Sequence, residues 1–336
     1  MIRWLGLWRL VVGRVRSDGP FLAATWLLVA SALTLLAAGT LYGETVEAGG
    51  VRRALLEAAP HERGVAVRLA AAPAELGELD RSVRDTLVSA FGDAATETVL
   101  VIRSSALQLA GAADAPRQLL VLGAYENLAD HAELVSGRWP APARTPAEAS
   151  VSAGAAQALG LQTGDRLALA DASTAGADPQ LAIVEVEIVG IFDPPRDDPY
   201  WLGSELEVAG VEERAATPLV GPLMVDRHDL LAGPFVRLDA AWRAIPRAER
   251  LRLEQLDALR ARIDGLQRAV EAVLPAQRFV VVDRDLSAVL GRIDRSALVS
   301  RSGVLLTTLQ FGILAGYAVL LVGGILAGGD QADLRR

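Results

Sequence analysis

The chain has 336 residues, 51% of them hydrophobic, with 41 acidic side chains against 33 basic ones, a net charge of −8 and no cysteine. The acidic balance argues against a phosphate-binding surface for nucleic acid, and the missing cysteine excludes disulfides and thiol nucleophiles. Every basic residue is arginine, so no GK[ST] phosphate loop exists and ATP hydrolysis by that route is excluded.

Residues 1–20 place Trp4, Leu5, Trp8, Val11 and Val12 at helical spacing among Arg3, Arg9, Arg14 and Arg16. This predicts a cytoplasmic helix lying in the membrane interface, tryptophans in the headgroup layer and arginines toward anionic lipid. From Phe21 to Gly43 no residue is charged. At about 1.5 Å per residue a helix of that length crosses a hydrocarbon core of roughly 30 Å. A second uncharged stretch, Gly303 to Gly328, is long enough to cross with tilt. Ala37, Ala38 and Gly39 offer a signal-cleavage alternative, against which stands an apolar run longer than a signal core. Arginines before the first span and Glu44 and Glu47 after it put the N-terminus in the cytoplasm. The expected order is an interfacial helix over 1–20, spans over 21–43 and 303–328, an extracytoplasmic domain over 44–302 and a cytoplasmic tail over 329–336.

Within the domain, Val51 to Ala59 reads as a helix ended by Pro60. Leu286, Val289, Leu290, Ile293, Ala297 and Leu298 continue a 3.6-residue period up to Gly303. Two helical stalks are expected. Strands are expected over 64–70, 98–110, 117–124, 166–170, 181–192 and 279–283. The clearest alternation sets Val184, Val186 and Ile188 against Glu185 and Glu187. Helices are expected over 74–91, 125–135, 151–159 and 248–274. The last carries Leu256, Leu259, Ile263, Leu266, Val270 and Val273 on one face, a stripe for packing on a sheet. The class is α+β in two lobes, with the boundary at the loop Asp193–Gly203, whose Asp193, Asp197 and Asp198 read as a solvated acidic run.

No catalytic constellation emerges. His61, His131 and His228 lack metal-ligand spacing, and no G-x-S-x-G elbow is present, so neither enzyme activity, metal nor cofactor is expected. His228, in VDRHDLL, reads as a surface residue at a helix start. The spans offer packing instead. Gly312, Gly316, Gly324 and Gly328 recur at multiples of four, and Ala30, Thr34 and Ala38 share that interval, the small-residue pattern that lets membrane helices approach closely.

The runs ENLADHAELVSGRWP, SVSAGAAQALGLQTGDRLAL, IVEVEIVGIFDPPRDDPYW and SGVLLTTLQFGILAGYAVLLVGGILAGGDQADLRR together resemble the FtsX-like, MacB-type permease subunits of bacterial ABC transporters. The resemblance implies an extracytoplasmic MacB-like core between the first two membrane helices. Its implied partners are a separate cytoplasmic ATPase subunit, a second permease copy and membrane lipids, in the bacterial plasma membrane. Family members continue past the second helix into an ATPase-docking segment and further spans, and GGDQADLRR resembles the start of that segment. A two-span sensor and an envelope scaffold, each with a binding outer domain, share the architecture and stay open.

Overall fold

The computed structural model describes residues 49–94, 96–110, 118–172, 184–214, 217–274 and 279–333, together with residues 23, 26, 27, 30, 31 and 34. The expected interfacial helix and most of the first apolar span fall outside these residues. One compact unit comprises Val51–Arg292; a second gathers Met1–Gly50 and Ile293–Arg336.

In the first unit a helix over 49–57 (α1) leads to a 3-10 turn, Pro60–Glu62. The main elements follow in order: β1 (Val65–Ala71), α2 (Leu76–Phe91), β2 (Thr96–Arg103), β3 (Leu107–Leu109), β4 (Leu119–Tyr125), α3 (Leu128–His131), β5 (Glu133–Gly137) and β6 (Ala147–Ser152). Next come α4 (Ala153–Leu159), β7 (Arg166–Asp171), β8 (Val184–Asp193), α5 (Glu205–Ala209), β9 (Val211–Glu212) and β10 (Leu219–Val225). The unit closes with α6 (Arg227–Ala232), β11 (Leu238–Pro246), α7 (Leu256–Val273), β12 (Val280–Asp283) and the start of α8 (Asp285–Asp333).

Strands β12, β1, β11 and β2 form an antiparallel open sheet, while β4, β3, β7, β8, β6 and β10 close on themselves as a six-stranded barrel through the parallel pairs β4–β10 and β6–β8. Closure removes free strand edges from that part of the sheet. Strand β4 belongs to both parts, because β2 and β3 lie in succession along one of its edges. The ladder survives the bend between them through Ser104. Its N–H donates to the Leu122 carbonyl at 2.9 Å, and its hydroxyl accepts the Leu122 N–H at 3.0 Å. The strand expected over 98–110 is therefore one bent path in two pieces.

The period of two sorts the open sheet. Val67, Leu69, Trp242, Leu100 and Val282 are buried on one face, where the Trp242 indole N–H donates to Asp80 of α2 at 2.8 Å. Helices α2 and α7 cover this side. The predicted stripe of α7 is buried from Leu256 to Val270, whereas Val273 is exposed.

Other expectations need correction. Residues 125–135 are not one helix: Asn127 turns left-handed, α3 lasts a single turn, and β5 follows, pairing with β8. Residues 248–255 form two 3-10 turns before α7 begins. The expected lobe boundary at Asp193–Gly203 lies inside a single compact unit: its first residues are largely exposed, but Tyr200 and Trp201 are fully buried. Nor are the stalk turns free-standing, since Val51 and Leu55, and likewise Leu286, Val289 and Leu290, are buried.

In the second unit α8 is helical through Gly303 to Gly328. Among the described residues, counted alone, no helix is long and apolar enough to cross a membrane; the side chains of 322–333 and several others in this stretch lie outside that count. The large side chains that are described, Leu305, Leu306, Leu309, Ile313, Leu314 and Leu320, are all exposed.

Where β5 meets β8, Gly137 has φ +76°, and an added Cβ would lie 2.1 Å from the Val189 carbonyl oxygen. A Gly137→Ala replacement forces both strain and a backbone shift. Thermal unfolding followed by circular dichroism is expected to show a loss of at least about 2 kcal/mol.

Candidate functional site

The helix-free face of the open sheet carries the other alternate residues: Arg68 and Ala70 on β1, Asp239, Ala241 and Arg243 on β11, Val101 and Arg103 on β2, and Val281 on β12. The register sets Arg68 beside Ala241 and Val281, and Asp239 beside Arg103. Half of this face is covered by the segment that follows β8. There Asp198 caps a 3-10 turn, its carboxylate accepting the Tyr200 N–H at 2.9 Å, and also engages His131 Nδ1 at 2.9 Å. Tyr200 and Trp201 then pack on Val99, Val101, Ala241 and Met224. Burying two such side chains contributes several kcal/mol, on the order of 1.5–3 each.

Beneath this cover sits a carboxylate knot. Glu207, on the single turn of α5, is completely buried. Its Oε1 accepts from Arg243 Nη2 at 2.5 Å, from Arg103 Nη2 at 2.7 Å and from the Tyr125 hydroxyl at 2.7 Å. Arg243 Nη1 donates to the Tyr200 carbonyl at 2.9 Å. Burial pushes the Glu207 carboxyl up, but Arg243 and Arg103 outweigh it and hold the group below its usual value. For Arg243 burial acts downward and the Glu207 charge more than reverses it, leaving the guanidinium raised. Burial drives the Tyr125 phenol well above its normal value, so it remains a donor. Glu207 Oε2 and the Trp201 indole nitrogen, both buried, have no hydrogen-bond partner among the described residues.

The uncovered half of the face is a cleft of about 640 Å³, floored by Arg68, Ala70, Arg103 and Arg243 and flanked by Arg237 and Phe279. Phe279 is 84% exposed and Val281, two residues on and facing the same way, 38%. Among the described residues Arg237 reaches the Ala70 carbonyl, at 3.5 Å, and forms no ion pair. Arg68 pairs with Asp283 at 2.8 Å.

A second carboxylate anchors the barrel. Glu148 of β6 receives both Nη atoms of Arg138 at 2.5 Å and the Ala141 N–H at 2.9 Å. The Arg138 hydrogen bond, against the opposing effect of burial and with help from the Ala141 amide, lowers its carboxyl to about 2.

The residues singled out for helix packing are not gathered into a site. Ala30 and Thr34 are helical and exposed, and the Thr34 hydroxyl donates to the Ala30 carbonyl at 2.7 Å. Ala38 lies outside the described residues. A Cβ on Gly312 or Gly316 would meet nothing within 4 Å, and Gly324 and Gly328 are described only as helical backbone. Among the described residues no group of three acids or histidines could hold a metal. His228 is exposed at the start of α6, as expected, with its N–H capped by Asp226 at 2.8 Å.

No sequence motif marks Arg103, Tyr125, Glu207 and Arg243, which lie far apart in the chain. The available signal was a lone charge inside an apolar strand, as in VLVIRSS around Arg103 and AAWRAIP around Arg243. No protein-family model and no curated protein matches the chain.

Two outcomes follow from these carboxylates. Arg243→Met removes one partner of a buried ion pair and is expected to cost about 3–5 kcal/mol in chemical denaturation. Adding Glu207→Leu to it is expected to recover part of that loss. Glu148→Gln is expected to destabilise the chain at neutral pH. Because the folded carboxyl titrates below the unfolded one, wild type loses the same contribution as pH falls from about 4.5 to about 2, and the two melting temperatures converge across that window.

Proposed function

We propose that the chain is a permease subunit of the FtsX/MacB type, or the N-terminal part of one, set in a bacterial plasma membrane with its α+β body outside. A separate cytoplasmic ATPase supplies the energy, and the membrane helices relay its motion outward for export, extraction or envelope remodelling. The observation that carries this reading is a folded body inserted between two uncharged apolar stretches, the first preceded by arginines. In lipid an uncharged backbone of that length is viable only as a helix, and exposed leucines along α8 are costly in water.

The relay is supported by how α8 begins. Arg284 donates to the Asp264 carbonyl of α7 at 2.9 Å and the Ser287 hydroxyl to the Asp264 carboxylate at 2.6 Å. Arg292 holds Glu62 of the 3-10 turn at 2.8 Å. A helix tied at its root moves with the body it enters. With nothing among the described residues against Gly312 or Gly316, those glycines suit close approach by another helix. The cleft favours a second reading, a two-span sensor whose outer domain binds a ligand.

Because the chain has no cysteine of its own, single cysteines report topology directly. In intact cells an impermeant maleimide is expected to label Glu213→Cys and to spare Ser17→Cys until the membrane is opened. The reverse pattern, or recovery of the chain in the soluble fraction, contradicts the membrane reading. Co-purification with an ATPase subunit separates the permease from the sensor.

A further inference from the structure

We propose that the cleft on the helix-free face of the open sheet binds a monoanionic amphiphile, its carboxylate or phosphate head on Arg237 and Arg103 and its apolar chain along Phe279, Val281 and Ala70. The proposal concerns the Val51–Arg292 body alone and does not depend on the membrane reading.

The cation supply comes first. Among the described residues Arg237 has no carboxylate partner and touches only a backbone oxygen at the limit of hydrogen bonding. Arg103 spends one Nη2 contact on Glu207, and its side chain keeps 26% exposure, so the rest of its planar fork is open to an oxyanion. Two guanidiniums converge on a single oxygen of Glu207, an excess of positive charge in a buried place where unpaired charge is costly. Trp201, which also lines the cleft, holds a buried indole N–H with no acceptor.

The acids on the same walls set the ligand's charge. Of the four arginines on the lining, Arg68 is engaged by Asp283 at 2.8 Å and Arg103 and Arg243 share Glu207, and the lining's own carboxylates are Glu205, Glu212 and Asp239. Glu212 is engaged by Arg214 at 3.1 Å, and Asp239 lies across from Arg103 in the β2–β11 register. That leaves Arg237 as the lining's uncommitted guanidinium among the described residues; one such cation suits a single negative charge, and Asp239 and Glu205 repel a polyphosphate.

The apolar half is equally specific. Phe279, just before β12, and Val281 within it leave their surface to water, while Ala70 and Ala241 line the neighbouring floor with small side chains. A volume of about 640 Å³ lies inside the usual range for small-molecule sites.

The test titrates the full-length chain, in phosphatidylcholine nanodiscs, with octanoate labelled with carbon-13 at the carboxyl. Octanol and butyrate serve as the tail alone and the head alone. Should the chain fail to enter nanodiscs, the membrane reading fails, and the same titration in buffer still tests the cleft. Saturable octanoate binding is expected with a Kd on the order of 0.1–1 mM, tighter than either control. Arg237→Gln is expected to weaken octanoate roughly tenfold and leave octanol unchanged. Phe279→Ser is expected to weaken both. Both replaced residues are solvent-facing, and an unchanged melting temperature certifies the fold. Competition by phosphatidylglycerol placed in the disc assigns the site to a bilayer lipid; its absence, with octanoate still bound, assigns it to a soluble acid. Octanoate binding no tighter than octanol, or unchanged by Arg237→Gln, overturns the proposal.

Discussion

One carboxylate oxygen, Glu207 Oε1, accepts hydrogen bonds from β2, β4 and β11 at once. Those strands are where the open sheet passes into the barrel, and Glu207 arrives from the segment that lies over them. Charge pairing of this kind is directional in a way that apolar packing is not. It fixes where the segment carrying Tyr200 and Trp201 comes down on the sheet, and so decides which half of the helix-free face is core and which half remains a cleft. The same geometry explains why the knot tolerates burial. Each guanidinium offsets the desolvation of the carboxylate, and each is offset in turn.

The rest of the body follows from how strands are shared and ended. Strand β4 cannot leave the barrel without tearing the open sheet, because β2 and β3 occupy one of its edges in succession. Ser104 makes that possible by donating its backbone N–H to Leu122 and lending its hydroxyl as the acceptor for the Leu122 N–H. At the far end, β12 closes the open sheet beside α7, whose Gln267 amide donates to the Val280 carbonyl at 2.9 Å. An edge carbonyl engaged by a side chain is less available to a stray strand.

Strands with a wet face and a dry face were legible in the sequence. Val186 and Ile188 are buried and the intervening Glu187 is not, as alternation required, and α7 was visible in its leucine stripe. Five strands, β5, β6, β9, β10 and β11, were not expected, and three of them were hidden for different physical reasons. β5 is largely exposed and so shows no apolar period. β10 carries Gly221 and Pro222 in its middle, where its register against β4 shifts, and a glycine–proline pair reads as a breaker. β11 is rich in alanine, which carries a helical preference that burial in the sheet overrides. In the acidic loop after β8, Asp193 and Asp197 are solvated as read, whereas Asp198 serves as a cap and a histidine partner and the two aromatic residues beside it are core. The knot itself left no spacing to find, since only the folded chain brings its four residues together.

The cleft rests on the knot, which sets where the segment carrying Tyr200 and Trp201 comes down on the sheet. The most direct measurement is the ionisation of Glu207, followed by the carbon-13 shift of its side-chain carboxyl against pH with Glu207→Gln as the assignment control. The account predicts a carboxylate at neutral pH that stays ionised below the ordinary range of about 4 to 4.5. A Glu207 that takes up its proton within or above that range would show that the two arginines do not compensate its burial.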